Sequence, residues 1–288
     1  MIFEKQIPDI DFKNKYQGKH FNKCWYTTVI DSSCNGYHIE SGGRKVLFKF
    51  KKNVIPESLQ KVAVNSFLKY SKKKHSNRGM ASGVDSTGNA RHFTSTGQNE
   101  GNYTASNISG YFDRPLREHR GTIGSQVACR TTAFTRDNMD LWTNALPFIQ
   151  RCSRLYKKMD PEHHSIQKAE WNRINPALKI PKSVFTTVTS NYNWTTACHC
   201  DSGDFEGGLG NLVVCGHGFS GGYLGFPQFK VLIKIQPGDF LLMDVHQWHC
   251  NTKIHVTSGF RLSFVMYIRS DMSRCKRLKR INGTSYYL

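Results

Sequence analysis

The chain has 288 residues, 38% of them hydrophobic and 12% aromatic, so it can bury a sizeable core and is not of a disordered class. Its 40 Lys and Arg against 21 Asp and Glu give a formal net charge of +19, which favours polyanionic partners, nucleic acid first and an anionic membrane surface second. On charge alone, a basic protein that is merely soluble is the alternative.

The sequence shows no pattern typical of membrane insertion or export. No run approaches the roughly 18 apolar residues that a membrane span needs. The amino-terminal MIFEKQIPDIDF has acidic residues where a signal peptide has a basic and then an apolar stretch. The nine cysteines are irregularly spaced and form no CxxC pair, so reduced thiols are the default. We therefore expect an intracellular protein that is not secreted, with no membrane partner and no inferred protein partner.

The first part of the chain predicts a hairpin, a helix and a long loop. Residues 36–55 alternate apolar and polar positions around a Gly-Gly turn, which is typical of a hairpin. Pro56 opens an amphipathic helix that ends in Lys72-Lys73-Lys74. From Ser76 to about Gln126 the composition changes to Gly, Ser, Thr and Asn. That change predicts a binding loop or lid, with disorder as the alternative for Thr94–Ser106.

The chain after this loop predicts helices followed by strands. A second helical region begins at Arg136 and runs to about Met159, interrupted by Pro147, and a third helix covers His163–Arg173. Short alternating runs separated by Gly- and Pro-rich turns follow at 184–189, 212–214, 229–235, 240–243 and 261–268. Such runs are typical of an antiparallel barrel or sandwich.

We predict a single α+β domain with three parts. Residues 1–182 hold the hairpin, the flanking helices and the long loop, residues 183–270 form the β-core, and residues 271–288 are a basic tail. Neither an internal repeat nor a convincing linker interrupts this order.

A candidate metal site begins at His199-Cys-Asp201. Residues i and i+2 of an extended strand lie on the same face, so the imidazole and the carboxylate can converge. Together they supply two ligands of the facial triad of non-haem iron(II), which leaves coordination positions open for oxygen and a cosubstrate. An HxD tripeptide alone is weak evidence, and its context decides its value.

The context supplies a third ligand and a cation. A turn and a strand lead to His246 and His249, His255 follows in the next loop, and Arg261 lies on the next strand. A guanidinium there suits the distal carboxylate of 2-oxoglutarate, because it grips a carboxylate with two parallel hydrogen bonds. His255 falls too close to Arg261 for a strand-loop-strand arrangement. On the residues alone, His246 and His249 both remain candidates.

Several stretches resemble the TET/JBP-type oxygenases, which hydroxylate the methyl group of thymine or 5-methylcytosine in nucleic acid. The resemblance covers about residues 75–268, in Arg78-Gly-Met-Ala-Ser-Gly83, Gly110-Tyr-Phe-Asp-Arg114, Arg130-Thr-Thr-Ala-Phe-Thr135, Phe185-Thr-Thr, Asn191-Tyr-Asn193, His199-Cys-Asp201, Gly221-Gly222, Phe226-Pro227 and His249-Cys-Asn-Thr252. The family's third ligand is the His of an HGNT-type element. His249-Cys-Asn-Thr252 matches that element except that Cys250 replaces Gly, so the resemblance favours His249 over His246.

The resemblance implies a fold, cofactors and residue roles. It implies a double-stranded β-helix of the jelly-roll or cupin type, an iron(II) ion on His199, Asp201 and His249, and oxidative decarboxylation of 2-oxoglutarate coupled to hydroxylation. Arg261 would hold the far carboxylate. Arg130 would hold the near carboxylate or the base, with an ion-pair arginine as the alternative, and Asn191 would line the pocket. Some algal relatives use ascorbate and attach a larger group to 5-methylcytosine, so ascorbate stays an alternative cosubstrate or reductant.

The implied partner is DNA, with RNA as an alternative. A base inside a duplex is out of reach, so such an enzyme flips it out or acts on single strands. Phosphate contacts are expected from Lys72, Lys73, Lys74 and Arg78 and from the basic tail, and Asn251 is a further candidate for contact with the base. Stacking partners are expected among Phe93, Tyr103, Tyr111, Phe112 and Trp194. The tail also resembles a nuclear-import patch, so we expect action in the nucleus or a host cell's nucleic-acid compartment.

Two other functions stay open. The HxD…H…R order is shared across the oxygenase superfamily, so a hydroxylase acting on prolyl or lysyl side chains is one alternative. A basic nucleic-acid-binding module whose β-core has lost catalysis is the other, and a complete set of ligands argues against it.

Overall fold

The computed structural model describes residues 1–75, 79–83 and 104–288. Its helices are α1 (Asp9–Tyr16), α2 (Glu57–Ser71), α3 (Arg120–Ile123), α4 (Ala133–Asp137), α5 (Met139–Met159) and α6 (Pro161–Arg173). Its strands are β1 (Ile2–Phe3), β2 (Thr28–Ile30), β3 (Cys34–Glu40), β4 (Gly43–Lys51), β5 (Lys74–His75), β6 (Thr104–Phe112), β7 (Arg130–Thr131), β8 (Thr187–Tyr192), β9 (Gly210–Gly221), β10 (Leu224–Phe226), β11 (Val231–Ile233), β12 (Phe240–Met243), β13 (Cys250–Asn251), β14 (Ile254–Tyr267), β15 (Leu278–Ile281) and β16 (Thr284–Tyr287). None of the helices in these ranges is both long and apolar enough to span a bilayer.

Two sheets form the core. The larger has the order β1-β3-β4-β12-β9-β14-β8-β6-β5, with β7 paired to β6. The smaller has the order β13-β10-β11-β2. Apolar residues of β9 and β12 in the larger sheet pack with β10 and β11 of the smaller one, so the sheets lie face to face. The strands β15 and β16 form a separate hairpin.

Alternation along the strands divides the side chains of the larger sheet between its two faces. On β14, Leu262, Phe264 and Met266 belong to the core beneath the helices. The alternate residues Arg261 and Ser263 line a cavity on the opposite face, towards the smaller sheet. A single strand thus contributes both to the apolar core and to a polar cavity.

Two helices cover the outer face of the larger sheet. The aromatic rings of Phe67 on α2 and Phe148 on α5 lie 5.4 and 5.1 Å from the ring of Phe264. All three rings are fully buried, so replacing any of them with alanine would cost roughly 3–5 kcal/mol of stability. The predicted hairpin and the predicted first and third helices are confirmed by β3 and β4, α2 and α6.

Two predicted features of the first half of the chain need correction. Helix α5 runs through Pro147 without interruption. Pro147 has no N–H to donate to the Thr143 carbonyl, four residues earlier in the helix. Both residues are exposed, so water can donate to that carbonyl instead. The predicted long loop is also wrong in part, because β6 and α3 occupy much of 104–126 and β6 pairs with β8. Residues 76–78 and 84–103 of that loop lie outside the described residues.

The strands of the first half bear on the domain organisation. β4 pairs with β12, and β6 pairs with β8, so strands before residue 183 share a sheet with strands after it. We propose that the chain folds as a single domain on this basis.

The cysteines include one pair that contradicts the expectation of reduced thiols. A disulfide joins Cys129 and Cys275, which are 146 residues apart in sequence and have Cα atoms 5.9 Å apart. Only the fold brings them within the range that a disulfide requires, so their spacing in sequence gave no signal. The disulfide fixes the segment that leads to the β15–β16 hairpin, and the predicted tail is therefore folded.

Counting thiols tests this disulfide. Alkylation of the unfolded, unreduced protein should modify seven cysteines, because seven are free, and prior reduction should raise the number to nine. Intact mass spectrometry before and after reduction gives both numbers. Nine adducts without reductant would show that the disulfide is absent.

Candidate active site

Backbone pairing brings the first and third candidate ligands together. His199 follows β8 and His249 immediately precedes β13, and each backbone N–H donates to the other's carbonyl at 3.0 Å. The Asp201 N–H donates to the Val245 carbonyl at 3.0 Å, which holds the carboxylate on the same strand edge. This backbone bridge places His199 and His249, which are 50 positions apart in sequence, in direct contact.

The three side chains converge on one point. Asp201 lies between the histidines, with its carboxylate oxygens 3.6 Å from His199 Nε2 and 3.6 Å from His249 Nε2. The potential ligand atoms all lie within 4.8 Å of one another. Two imidazoles and one carboxylate in this arrangement are the donor set of non-haem iron(II) oxygenase sites.

Hydrogen bonds to backbone carbonyls fix the orientation of both imidazole rings. Nδ1 of His199 lies 2.8 Å from the Ala197 carbonyl, and Nδ1 of His249 lies 2.9 Å from the Gln247 carbonyl. A carbonyl only accepts, so each Nδ1 carries the proton and each Nε2 presents its lone pair to the metal position. Burial and the neighbouring His199 lower the pKa of His249 to about 4, so its ring is neutral at physiological pH and ready to bind a metal.

The structure separates the rival histidines from the triad. His246 Nδ1 lies 3.3 Å from Asp244, and its Nε2 lies 3.3 Å from the Asp204 carbonyl, so both ring nitrogens are engaged elsewhere. The hydrogen bond that the His246 ring donates to the Asp244 carboxylate raises the pKa of His246. His255 lies on β14, not in a loop as expected, and its side chain is exposed.

Arg261 enters the same cavity from the larger sheet. Its residue is only 3% exposed, and one guanidinium nitrogen, Nη2, donates to the Gly222 carbonyl at 2.9 Å. Its Nε has no hydrogen-bond partner, and none of the described carboxylates forms an ion pair with it. Burial lowers the pKa of Arg261 to about 10, which still leaves it cationic at neutral pH. A buried cation with an open donor is a binding site for an anion.

The cavity between the sheets has a volume of about 860 Å³ and contains the triad and Arg261. Asn191 on β8 lines it, is buried, and has an Oδ1 atom without a hydrogen-bond partner. Asn251 lines it too, but its Oδ1 accepts hydrogen bonds from the backbone and hydroxyl of Thr196. Of the two amides, Asn191 is therefore the one with an acceptor left for a bound molecule.

The structure does not bring the other candidate residues to the triad. Arg130 is absent from the cavity lining, and its guanidinium donates to the carbonyls of Arg114 and Thr131. Lys72 and Lys73 are exposed and lie over the rings of Tyr192 and Tyr70. The expectations for Arg78, Phe93, Tyr103 and the side chain of Lys74 lie outside the described residues.

The expected aromatic residues divide between cavity and core. Phe112 and Trp194 line the cavity, whereas Tyr111 packs against the hydrophobic core. Their position agrees with a planar ligand entering between the sheets.

A buried ion-pair cluster on the cavity wall was not predicted from the sequence. The guanidinium of Arg269, near the end of the predicted β-core, lies 3.1 Å from Asp113 and 3.6 Å from Asp204. It also lies 5.0 Å from the ring of Phe112. A Cβ atom on Gly203 would meet this guanidinium at 1.9 Å, so the glycine permits close packing of the loop after Asp201. The partners are distant in sequence, and no local signal links them.

Comparison with known families agrees with this geometry. Residues 108–270, more than half of the chain, match the model of the Tet_JBP family, described as the oxygenase domain of the 2OGFeDO superfamily. The chain belongs to the Tet_JBP family. The matched range includes the triad, Asn191 and Arg261, and it confirms the family that the sequence motifs indicate.

Among curated proteins, relatives of this Tet_JBP chain are thymine dioxygenases. Thymine dioxygenase JBP1 of Trypanosoma brucei brucei is 36% identical over 194 residues, which cover 62% of this chain and 22% of that protein. The bifunctional helicase and thymine dioxygenase JBP2 of Leishmania braziliensis is 33% identical over 183 residues, which cover 60% of this chain and 16% of that protein. The chain thus spans about a fifth of the length of these relatives.

Among solved structures, NgTET1 in complex with 5mC DNA superposes on the Tet_JBP chain with a TM-score of 0.55. The superposition covers 93% of both chains at 14% sequence identity, and it shows a shared fold. The predicted α+β class with a double-stranded β-helix core is confirmed.

The cavity fits the cofactors of the 2OGFeDO superfamily, which are iron(II) and 2-oxoglutarate. The triad offers two neutral imidazoles and a carboxylate, the donor set that iron(II) requires. The buried Arg261 lines the cavity without a carboxylate partner, so its guanidinium offers charge-assisted hydrogen bonds to a carboxylate of 2-oxoglutarate. Both groups therefore have matching partners in this chain.

Paired histidine variants test the ligand set. His249→Ala should weaken iron(II) binding by more than about 100-fold, because even outer-shell partners of a metal contribute 10- to 100-fold. His246→Ala, three residues away, should change binding by less than about tenfold. Anaerobic calorimetry with iron(II) measures both. The reverse order of effects would assign the ligand to His246.

Glycine variants test the role of Arg261. Gly222 has a φ of +66°, and a Cβ there would meet Arg261 Nε at 2.5 Å, so Gly222→Ala should displace the guanidinium. We expect 2-oxoglutarate to bind at least about tenfold more weakly, with iron(II) binding unchanged. The matched control is Gly283→Ala, since Gly283 has a φ of +76° and open space around it. If Gly222→Ala and Gly283→Ala bind 2-oxoglutarate with equal affinity, Arg261 is not part of the cosubstrate site.

Proposed function

We propose that the chain is an iron(II)- and 2-oxoglutarate-dependent dioxygenase that hydroxylates the 5-methyl group of thymine or 5-methylcytosine in DNA. The observation that carries the proposal is the convergence of the triad and the unpaired Arg261 in one cavity between the sheets. The relatives support this choice of substrate, because they are named thymine dioxygenases. NgTET1, the solved structure with a similar fold, is a complex with 5mC DNA.

The residues of the chain divide the work of the reaction. His199, Asp201 and His249 hold the metal, and Arg261 anchors the cosubstrate beside it. When bound, iron and 2-oxoglutarate supply the oxidative decarboxylation that activates oxygen for insertion into a C–H bond. The protein's own part is to position the methyl group and to keep water out of the cavity.

Recognition of the base rests on the remaining cavity wall. Phe112 and Trp194 offer aromatic surfaces to a planar ring, and base stacking on such rings contributes about 1–3 kcal/mol. The unpartnered Oδ1 of Asn191 can accept a hydrogen bond from an N–H on the edge of the base. A base must leave the duplex to reach this cavity, so the proposal includes base flipping.

The net charge of +19 agrees with a polyanionic substrate. Action on DNA would also agree with the expected location in a nucleic-acid compartment. The complete triad speaks against a module that only binds nucleic acid.

Turnover on two defined duplexes tests the function. One duplex contains thymine and no 5-methylcytosine, and the other contains 5-methylcytosine with uracil in place of thymine, so each offers a single kind of methyl group. We expect succinate and a nucleoside that has gained one oxygen from at least one duplex, and neither product from Asp201→Ala. Mass spectrometry of nucleosides identifies the base, and a parallel reaction with ascorbate alone tests that cosubstrate.

The same experiment can contradict the proposal. Absence of an oxidised nucleoside from both duplexes, with protein that binds iron(II) and 2-oxoglutarate normally, would exclude DNA methyl hydroxylation. Succinate formed only with a proline- or lysine-containing peptide would favour the protein hydroxylase instead.

A further inference from the structure

The β15–β16 hairpin lies beyond residues 108–270, the range that matches the family. Residues 276–288 contain four basic side chains and no Asp or Glu. Arg277, Lys279 and Arg280 are exposed, and no carboxylate among the described residues forms an ion pair with them. By contrast, Arg274 pairs with Asp271 at 2.9 Å, so the structure divides the expected basic tail into paired and unpaired cations.

The hairpin is firmly attached to the rest of the molecule. The disulfide at Cys275 fixes its start, and Cys129 and Tyr287 exchange two backbone hydrogen bonds of 2.8 and 2.7 Å. The side chains of Ile281 and Tyr286 are buried in a small core with Ile123 of α3. A hairpin held in this way presents its cations in a defined place, at a lower entropic cost for binding than a mobile tail.

Tyr286 connects the hairpin to the rim of the cavity. Its hydroxyl lies 2.7 Å from His119 Nδ1 and accepts a hydrogen bond from the Leu116 N–H at 3.3 Å. The segment 114–123 held by these contacts carries three arginines and a single carboxylate, that of Glu118. Two of these arginines, Arg114 and Arg120, line the cavity that contains the triad.

Exposed basic side chains therefore lie both on the segment at the cavity rim and on the hairpin packed against it. We propose that these side chains, Arg114, Arg117 and Arg120 with Arg277, Lys279 and Arg280, dock the phosphate backbone of the DNA duplex beside the flipped base. The proposal rests on the proposed function for the choice of DNA. The rim arginines would contact phosphates near the flipped nucleotide, and the hairpin would contact phosphates farther along the duplex.

Phosphate contacts have a measurable signature. Each contact releases condensed counterions, so the logarithm of the affinity falls with the logarithm of salt concentration by about 0.9 per phosphate. Replacing three contacting cations should lower that slope by roughly 2 to 3. Replacing three exposed cations that do not touch DNA should leave the slope nearly unchanged, because screening weakens distant charges.

The test compares two triple variants of equal charge change. The first is Arg277→Gln with Lys279→Gln and Arg280→Gln, and its control is Arg154→Gln with Lys157→Gln and Lys158→Gln on the exposed surface of α5. Fluorescence anisotropy on iron-loaded protein without 2-oxoglutarate gives the affinity for a 5-methylcytosine duplex at several salt concentrations. We expect the hairpin variant to bind at least about tenfold more weakly with the lower slope, and the control to resemble wild type.

Several outcomes would overturn the assignment. Equal losses in both variants would mean that net charge alone matters, and no loss in either would mean that the hairpin does not touch DNA. A loss confined to an RNA duplex of the same sequence would replace DNA with RNA as the partner. Binding is measured without turnover, so the two proposals can fail separately. If the salt slope depends on the hairpin but no base is oxidised, the proposed function is contradicted and the docking surface is supported. If DNA is oxidised but the hairpin variant leaves the salt slope unchanged, the proposed function is supported and the docking surface is contradicted.

Discussion

A buried guanidinium without a carboxylate partner is the constraint on which the rest of the site depends. Placing the Arg261 cation between two sheets costs several kcal/mol unless a counter-charge is supplied. Among the described residues the guanidinium donates one hydrogen bond, to the Gly222 carbonyl, and its Nε is buried without a partner. Strand alternation leaves no other direction for this side chain, because Leu262 on the same strand must face the helices. The fold thus keeps an anion site next to the metal position.

The metal position depends on a second constraint, which is the short backbone bridge between His199 and His249. Carbonyl groups two residues before each histidine fix the ring orientation, so both Nε2 atoms face Asp201. Behind the bridge, the buried Cys250 lies where the family has glycine, and its sulfur contacts the Tyr26 hydroxyl at 3.3 Å. The substituted side chain is accommodated in the core and leaves the ligand geometry intact.

Much of the site could be predicted, because its signals are local. The spacing of His199 and Asp201, the strand period that aims Arg261, and the HGNT-like element all lie in short segments of sequence. The missed features join distant segments: the Arg269 ion pairs, the Cys129–Cys275 disulfide, and the pairing of β6 within the main sheet. Arg130 is the opposite case, since a family-like stretch made it a candidate for the cosubstrate or the base, with an ion-pair arginine as the alternative, and its guanidinium donates to backbone carbonyls and does not line the cavity. Composition alone could not separate Arg269 in a buried cluster from Arg280 on an exposed hairpin.

We expect one metal ion and one dicarboxylate to meet between the triad and Arg261. A crystal structure of the protein with iron(II) and 2-oxoglutarate, grown without oxygen and measured at the iron absorption edge, tests it most directly. The expected result is a single strong anomalous peak bound by Nε2 of His199, Nε2 of His249 and the carboxylate of Asp201, with a 2-oxoglutarate carboxylate on the guanidinium of Arg261. Iron on other ligands, or 2-oxoglutarate that makes no contact with the Arg261 guanidinium, would contradict it.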